Sequence, residues 1–197
     1  MTDRYASIVR SGAGRVLAKR LGLPEPPRLR RHTPGDPLVA GPVLLGSATG
    51  GRLAEPVRTI LAAAGVELAD PAAAPGSERR HAALVYDATG ITDSTGLGQL
   101  HAFFHPQARS LLASGRVIVL GTPPEECGSP REATAQRALE GLTRSIGKEF
   151  GRGVTAQLVY VTGNGDAGTT TGLESTLRFL LSGRSAYVSG QVIRVGS

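Results

Sequence analysis

The chain has 197 residues, 40% of them hydrophobic and 19% charged, which suits one domain with a full hydrophobic core. The lone cysteine, Cys127, excludes an internal disulfide framework and a cysteine-based zinc site, and a 4% aromatic content without tryptophan leaves few stacking platforms for bases or sugars. The net charge is +6, carried by arginine except at Lys19 and Lys148; outside Arg28, Arg30 and Arg31 it is scattered, so it argues for an acidic protein partner as well as for nucleic acid.

Residues 3–21 have the spacing of an amphipathic helix, with Tyr5, Ile8, Val9, Val16 and Leu17 apolar and Gly12 and Gly14 weakening its middle. Residues 23–37 contain Pro24, Pro26, Pro27, Pro34 and Pro37 and predict an extended, partly polyproline-like arm. Residues 1–40 thus read as a strap on the core formed by residues 41–197, or as a docking arm for a partner subunit. No stretch approaches the roughly 18 to 20 apolar residues of a membrane span, and no secretory signal is expected, because residues 1–16 lack an apolar core followed by a cleavage site. The cytoplasm is the expected compartment.

An α/β alternation then begins. Residues 43–45 predict a buried strand, followed by the loop Gly46-Ser-Ala-Thr-Gly50-Gly51 and a helix to about Ala64. Residues 66–68 predict a second strand and 83–85 a third, ending in Tyr86-Asp-Ala-Thr-Gly90. A helical region with a break at Pro106 is expected over 94–113, and a fourth strand over 117–120. Ser129, Pro130 and Glu132 then form an N-cap, a first helical position and a capping box. Ala135, Ala138, Leu139, Leu142, Ile146 and Phe150 continue that helix as one apolar stripe. A fifth strand over 156–161, a Gly/Thr-rich loop over 162–170, a helix capped by Thr171 and Glu174, and a last strand over 186–195 complete the series. Strands alternating with helices require parallel pairing and right-handed crossovers, hence a doubly wound sheet. Only about a dozen residues separate the second and third strands, too few for another strand with its crossover helix. The expected fold is therefore a degenerate Rossmann sheet of five or six strands in flavodoxin-like order.

Four stretches resemble short-chain dehydrogenases/reductases in order and spacing: VLLGSATGG, LVYDATGITDS, RALEGLTRSIGKEF and SAYVSGQVIRVGS. Together with the N-terminal helix and arm, they resemble the degenerate N-terminal domain of high-molecular-weight 3-oxoacyl-[acyl-carrier-protein] reductases. The resemblance implies NAD(P)H as the family cofactor, and a residual pocket of Gly46, Gly50, Gly51, Asp87, Thr89 and Gly90. Arg52 stands where the third loop glycine is expected, and Asp87 where the family has asparagine. A carboxylate near a pyrophosphate is repulsive, so no cofactor is expected.

The family chemistry needs Tyr-x-x-x-Lys, with lysine lowering the tyrosine pKa. Those positions fall here on Glu132 and Gln136, and four residues after Tyr5, Tyr86, Tyr160 and Tyr187 stand Val9, Gly90, Asn164 and Gln191. Asn164 is the sole asparagine, and Thr122 near the serine position is inert alone. No catalytic residue is expected. His101 and His105 have the spacing to share a metal on a helix, but no neighbouring carboxylate or thiol completes a site, so no metal is expected. Cys127, beside Glu125 and Glu126, should be a poor thiolate. The resemblance implies a non-catalytic domain of a 3-oxoacyl-carrier-protein reductase serving assembly or docking; the alternative is a divergent NAD(P)- or flavin-dependent oxidoreductase acting on acyl thioesters. Expected partners are a second copy or a reductase domain, met through helices 130–150 and 171–182, and an acyl carrier protein. Membrane and nucleic-acid partners are not expected.

Overall fold

Five runs of aliphatic residues build one parallel sheet: β1 (Val43–Ser47), β2 (His81–Asp87), β3 (Leu111–Gly121), β4 (Thr155–Val161) and β5 (Gln191–Val195), hydrogen-bonded in that order. The structure, a computed structural model, describes residues 16, 20, 21, 27, 29–70, 80–163 and 167–196. The helix expected over 3–21 and the first part of the arm lie outside the described residues, apart from Val16, Arg20, Leu21 and Pro27. Every neighbouring strand pair is parallel. β2 and β4 are buried at every position, as strands covered on both faces must be.

Four helices supply the cover: α1 (Ala54–Ala63), α2 (Gly98–Gln107), α3 (Pro130–Glu149) and α4 (Ala167–Leu181). Val57, Ile60 and Leu61 of α1 pack with Leu173, Leu177 and Leu180 of α4 on one sheet face. On the other face, Leu100 and Phe104 of α2 pack with Ala135, Leu139 and Ile146 of α3. α3 and α4 therefore lie on opposite sides of the sheet, so the two helices expected to meet a partner, 130–150 and 171–182, do not share one face. Each can serve only as a separate surface.

The segment at 66–68 is not a full strand. It makes one parallel bridge, Leu68 to Val43, on the outer side of β1. Counting it as a vestigial strand gives the spatial order 2-1-3-4-5-6, the flavodoxin-like arrangement.

Four element limits differ from expectation. The helical region stops at Gln107, because Pro106 occupies its last turn and Ser110 closes a turn onto the Gln107 carbonyl (N–H donor, 3.1 Å) and side-chain oxygen (hydroxyl donor, 2.7 Å). β3 accordingly starts at Leu111, opposite His81, six residues before the expected strand. α4 begins at Ala167, so Thr171 and Glu174 lie inside it; Glu174 pairs with Arg178 instead of capping. The last strand is shorter than expected, since residues 183–185 form a 3-10 turn and Gly190 (φ +70°) turns the chain into β5.

α3 starts as its sequence directs. The Ser129 hydroxyl accepts the Glu132 N–H at 3.2 Å, and the Glu132 carboxylate accepts the Gly128 N–H at 3.0 Å, one residue before the cap. Among the arm residues that are described, Pro27 and Leu29 lie against Gly153, the Arg30 N–H donates to the Ser114 hydroxyl, and Val39 is buried in the core.

Candidate functional site

In a parallel sheet, ligands bind beyond the carboxyl ends of the strands, where helix N-termini point exposed N–H groups. At that end of this sheet, the loop after β1 meets the turn after β2. Gly50 takes φ +80°, and Gly90 lies so close that a Cβ on it would stand 2.6 Å from the carbonyl carbon of Gly50 and the nitrogen of Gly51. A Cβ on Gly51 would meet the Asp87 carboxylate, also at 2.6 Å. Gly50, Gly51, Asp87, Thr89 and Gly90 are thus brought together as expected. Gly46 is not part of the group: it lies within β1, where a Cβ would enter the Phe103 ring. Its absence of side chain serves packing.

Asp87 is fully buried and dictates the site. Leu53, at the start of α1, has no capping side chain. Asp87 supplies the acceptor from β2 instead: Oδ2 accepts from the N–H groups of Leu53 at 2.6 Å and Ala54 at 2.9 Å. Oδ1 accepts from the N–H (3.0 Å) and hydroxyl (2.6 Å) of Thr89. The Thr89 hydroxyl in turn accepts the Arg52 N–H at 2.9 Å. The carboxylate therefore sits on the positive end of the α1 dipole, the place an external phosphate would otherwise take.

Arg52 closes the crevice from the other side. Its Nη2 donates to the Val161 carbonyl at 2.7 Å and to the Thr122 hydroxyl at 3.3 Å, spanning from the loop after β1 to the ends of β3 and β4. The Thr122 hydroxyl thereby accepts from the Arg52 guanidinium.

Gln136 fills the position where the family phrase has lysine. It is fully buried, and its amide nitrogen donates to the carbonyls of Ala88 (2.9 Å) and Ile91 (2.8 Å). Its oxygen accepts the Thr122 N–H at 2.9 Å. A neutral side chain thus ties α3 to the turns after β2 and β3, using the full geometry of an amide. The Tyr160 hydroxyl donates to the Gln136 carbonyl at 2.9 Å. Burial pushes the Tyr160 and Tyr86 phenols up to about 12, the direction opposite to that a tyrosine acid catalyst requires. Sequence reasoning flagged Arg52 and Asp87 but missed their bonds across the fold, because, Thr89 beside Asp87 apart, the partners lie at least 33 residues away along the chain.

The remaining candidates are ordinary. His101 and His105 stack with ring centroids 4.8 Å apart, and no group of three metal-ligating side chains exists among the described residues. Burial, then the carboxylates of Glu132, Glu125 and Glu126, raise the Cys127 thiol to about 11. Asn164 lies outside the described residues. No described helix is long and apolar enough to cross a membrane.

No protein-family model matches the sequence, and no curated protein matches it. Solved structures do. A short-chain dehydrogenase/reductase from Serratia marcescens BCRC 10948 aligns with TM-score 0.58 and 18% identity, over 81% of this chain and 97% of that one. A Brucella ovis short-chain dehydrogenase/reductase aligns at 0.54 and 18%, over 79% and 100%. A further Brucella ovis member of that family, solved in complex with a partially ordered NAD, aligns at 0.55 and 15%, over the same shares. In this chain Asp87 accepts the N–H groups at the start of α1, and Arg52 spans the crevice to the ends of β3 and β4. What the chain shares with these proteins is the short-chain dehydrogenase/reductase fold.

Proposed function

We propose that this chain is a non-catalytic domain of reductase architecture that serves assembly or docking beside a catalytic 3-oxoacyl-[acyl-carrier-protein] reductase domain. One observation carries the reading: the Asp87 carboxylate takes up the N–H groups at the α1 N-terminus from within, while Arg52 Nη1 in the same crevice keeps no partner. Gln136 and the raised tyrosines support it: Gln136 stands where the family phrase has lysine, and burial holds both phenols up at about 12. The NAD of the Brucella ovis neighbour does not carry over for the same reason.

The docking surface in this proposal is the apolar cleft of about 410 Å³ between α2 and α3, walled by Leu97, Leu100, Phe104, Leu142, Ile146 and Phe150. A cleft of this kind on a helical face suits a helix of a second copy or of the reductase domain.

The test is an NAD(P)H consumption assay with an acetoacetyl thioester, joined to calorimetric titration with NADPH, NADH and FMN. No turnover and no micromolar binding are expected; turnover above a buffer control, or micromolar binding, overturns the reading in favour of a divergent oxidoreductase. Light scattering with and without Leu142→Glu tests the surface. A particle of twice the chain's 20.3 kDa that the substitution splits supports self-docking. A monomer at every concentration removes the homodimer.

A further inference from the structure

At the opposite end of the sheet the ladder between β2 and β3 breaks. Pairing jumps from His81 with Leu111 to Ala83 with Arg116, so residues 112–115 bulge out. Ser114, inside the bulge, holds φ +57° although it is not glycine. Its N–H donates at 2.9 Å to the carbonyl of Arg152, which holds φ +50°. Strained backbone of this kind persists where the surroundings fix it, often at functional sites. With Val39, Ala40, Ala82 and Leu181, the bulge walls a cavity of about 30 Å³ that two arginines also line, Arg116 and Arg30.

Arg116 is only 3% exposed. Nη1 donates to the carbonyls of Ser114 (2.9 Å) and Gly115 (3.5 Å), Nη2 to that of Ser182 (3.2 Å), and Nε has no partner. Among the described residues, no carboxylate lies within ion-pair reach of Arg116 or Arg30. Burial, and then repulsion from Arg30, both work against the charged form of Arg116.

The bland account makes Arg116 a brace for the end of α4. It is true as far as it goes, since Ser182 follows the last residue of that helix, whose C-terminus carries about half a negative charge. That leaves buried Arg116 with an unpartnered Nε and at most a fraction of one counter-charge, beside half-buried Arg30, whose Nη2 donates to the Pro37 carbonyl at 2.9 Å. A buried cation without its counter-ion is strongly destabilising.

We propose that this cavity binds a small inorganic oxyanion, phosphate or sulfate, held between Arg116 and Arg30. Guanidinium groups match the planar edges of an oxyanion with paired donors. A space of about 30 Å³ holds one such ion or about two waters, and it excludes a nucleotide.

Thermal denaturation of the full chain in chloride buffer, with phosphate or sulfate added at matched ionic strength, tests the proposal. A saturable rise is expected, about 5–10 °C at a hundredfold excess over Kd. Phosphorus NMR of inorganic phosphate should show line broadening that sulfate reverses. Arg116→Met should abolish both responses and leave the anion-free melting temperature unchanged or raised, because it removes an uncompensated charge. Arg30→Met should weaken phosphate binding about tenfold with the fold intact. Equal melting in phosphate and chloride overturns the proposal, as does an Arg116→Met protein that keeps the response. Should that variant not fold, a full phosphate response in Arg30→Met is the overturning result. A stronger response to glycerol phosphate than to phosphate itself rejects the free ion as occupant.

Discussion

Replacing Asp87 by asparagine restores the residue type found in the reductase phrase and should nevertheless damage this domain. The carboxylate accepts four hydrogen bonds at 2.6 to 3.0 Å, two from the start of α1 and two from Thr89. An asparagine has one accepting oxygen and an NH2 group, so it can serve one of these pairs and must point donors at the other. Two charge-assisted bonds are then lost at about 1.5–3 kcal/mol each, and full burial allows little rescue by water. Asp87→Asn should therefore lose about 3–6 kcal/mol, a large fraction of the stability of a typical domain. Guanidinium unfolding followed by circular dichroism measures this as a lower midpoint at unchanged slope. Ser47→Ala is the control, since the Ser47 hydroxyl reaches the carboxylate only at 3.5 Å. A loss below about 1 kcal/mol for Asp87→Asn would refute the claim that this carboxylate holds the α1 N-terminus.

Gly90→Ala should be severely destabilising, because its Cβ meets backbone atoms of the facing loop, whereas Gly141→Ala, on α3 with open space around it, should stabilise by about 1 kcal/mol; thermal melts rank the pair. His81 is buried with Nδ1 unpartnered, and desolvation lowers its pKa against the opposing bond from Gln107. The unfolded chain therefore takes up a proton before the folded one does: stability holds above the ordinary value of 6.5, falls as pH drops below it toward the folded pKa, and should lose that slope in His81→Gln. Tyr86 and Tyr160 ionise only near pH 12, so Tyr86→Phe and Tyr160→Phe should leave the ultraviolet phenolate titration unchanged until that range is approached.

What the sequence made legible was local. Ser129, Pro130 and Glu132 announce the start of α3 within four residues, and the solid apolar runs of β2 and β4 could only be buried strands. What it hid depends on contacts across the fold. Residues 111–116 carry no alternation, because a bulge interrupts them, and their pairing with His81 fixes a strand that propensity alone assigns to a helix. Thr171 and Glu174 imitate a capping box, but α4 extends a turn beyond them. The sequence suggests that Asp87 repels a phosphate; in the fold it accepts the first N–H groups of α1, and nothing near it in the chain names Leu53 or Ala54 as its donors. Arg116, preceding the run Val117 to Leu120, carried a signal that passed unread: a cation at the head of a buried strand needs an explanation.

The strands stand in space in the order in which they occur in the chain. During synthesis, each new strand can therefore join the exposed margin left by the one before, without waiting for a later segment to be inserted between two earlier ones. The cost is an open margin at every stage, a template for pairing with the wrong chain. On the β1 side the single bridge from Leu68 covers part of it. On the β5 side the strand is only five residues long and exposes Gln191 and Arg194, with Arg194 further held by Glu125. A short, charged final strand is a common guard against such association, and Arg194→Val should be recognised first by aggregation during refolding, not by a changed melting temperature.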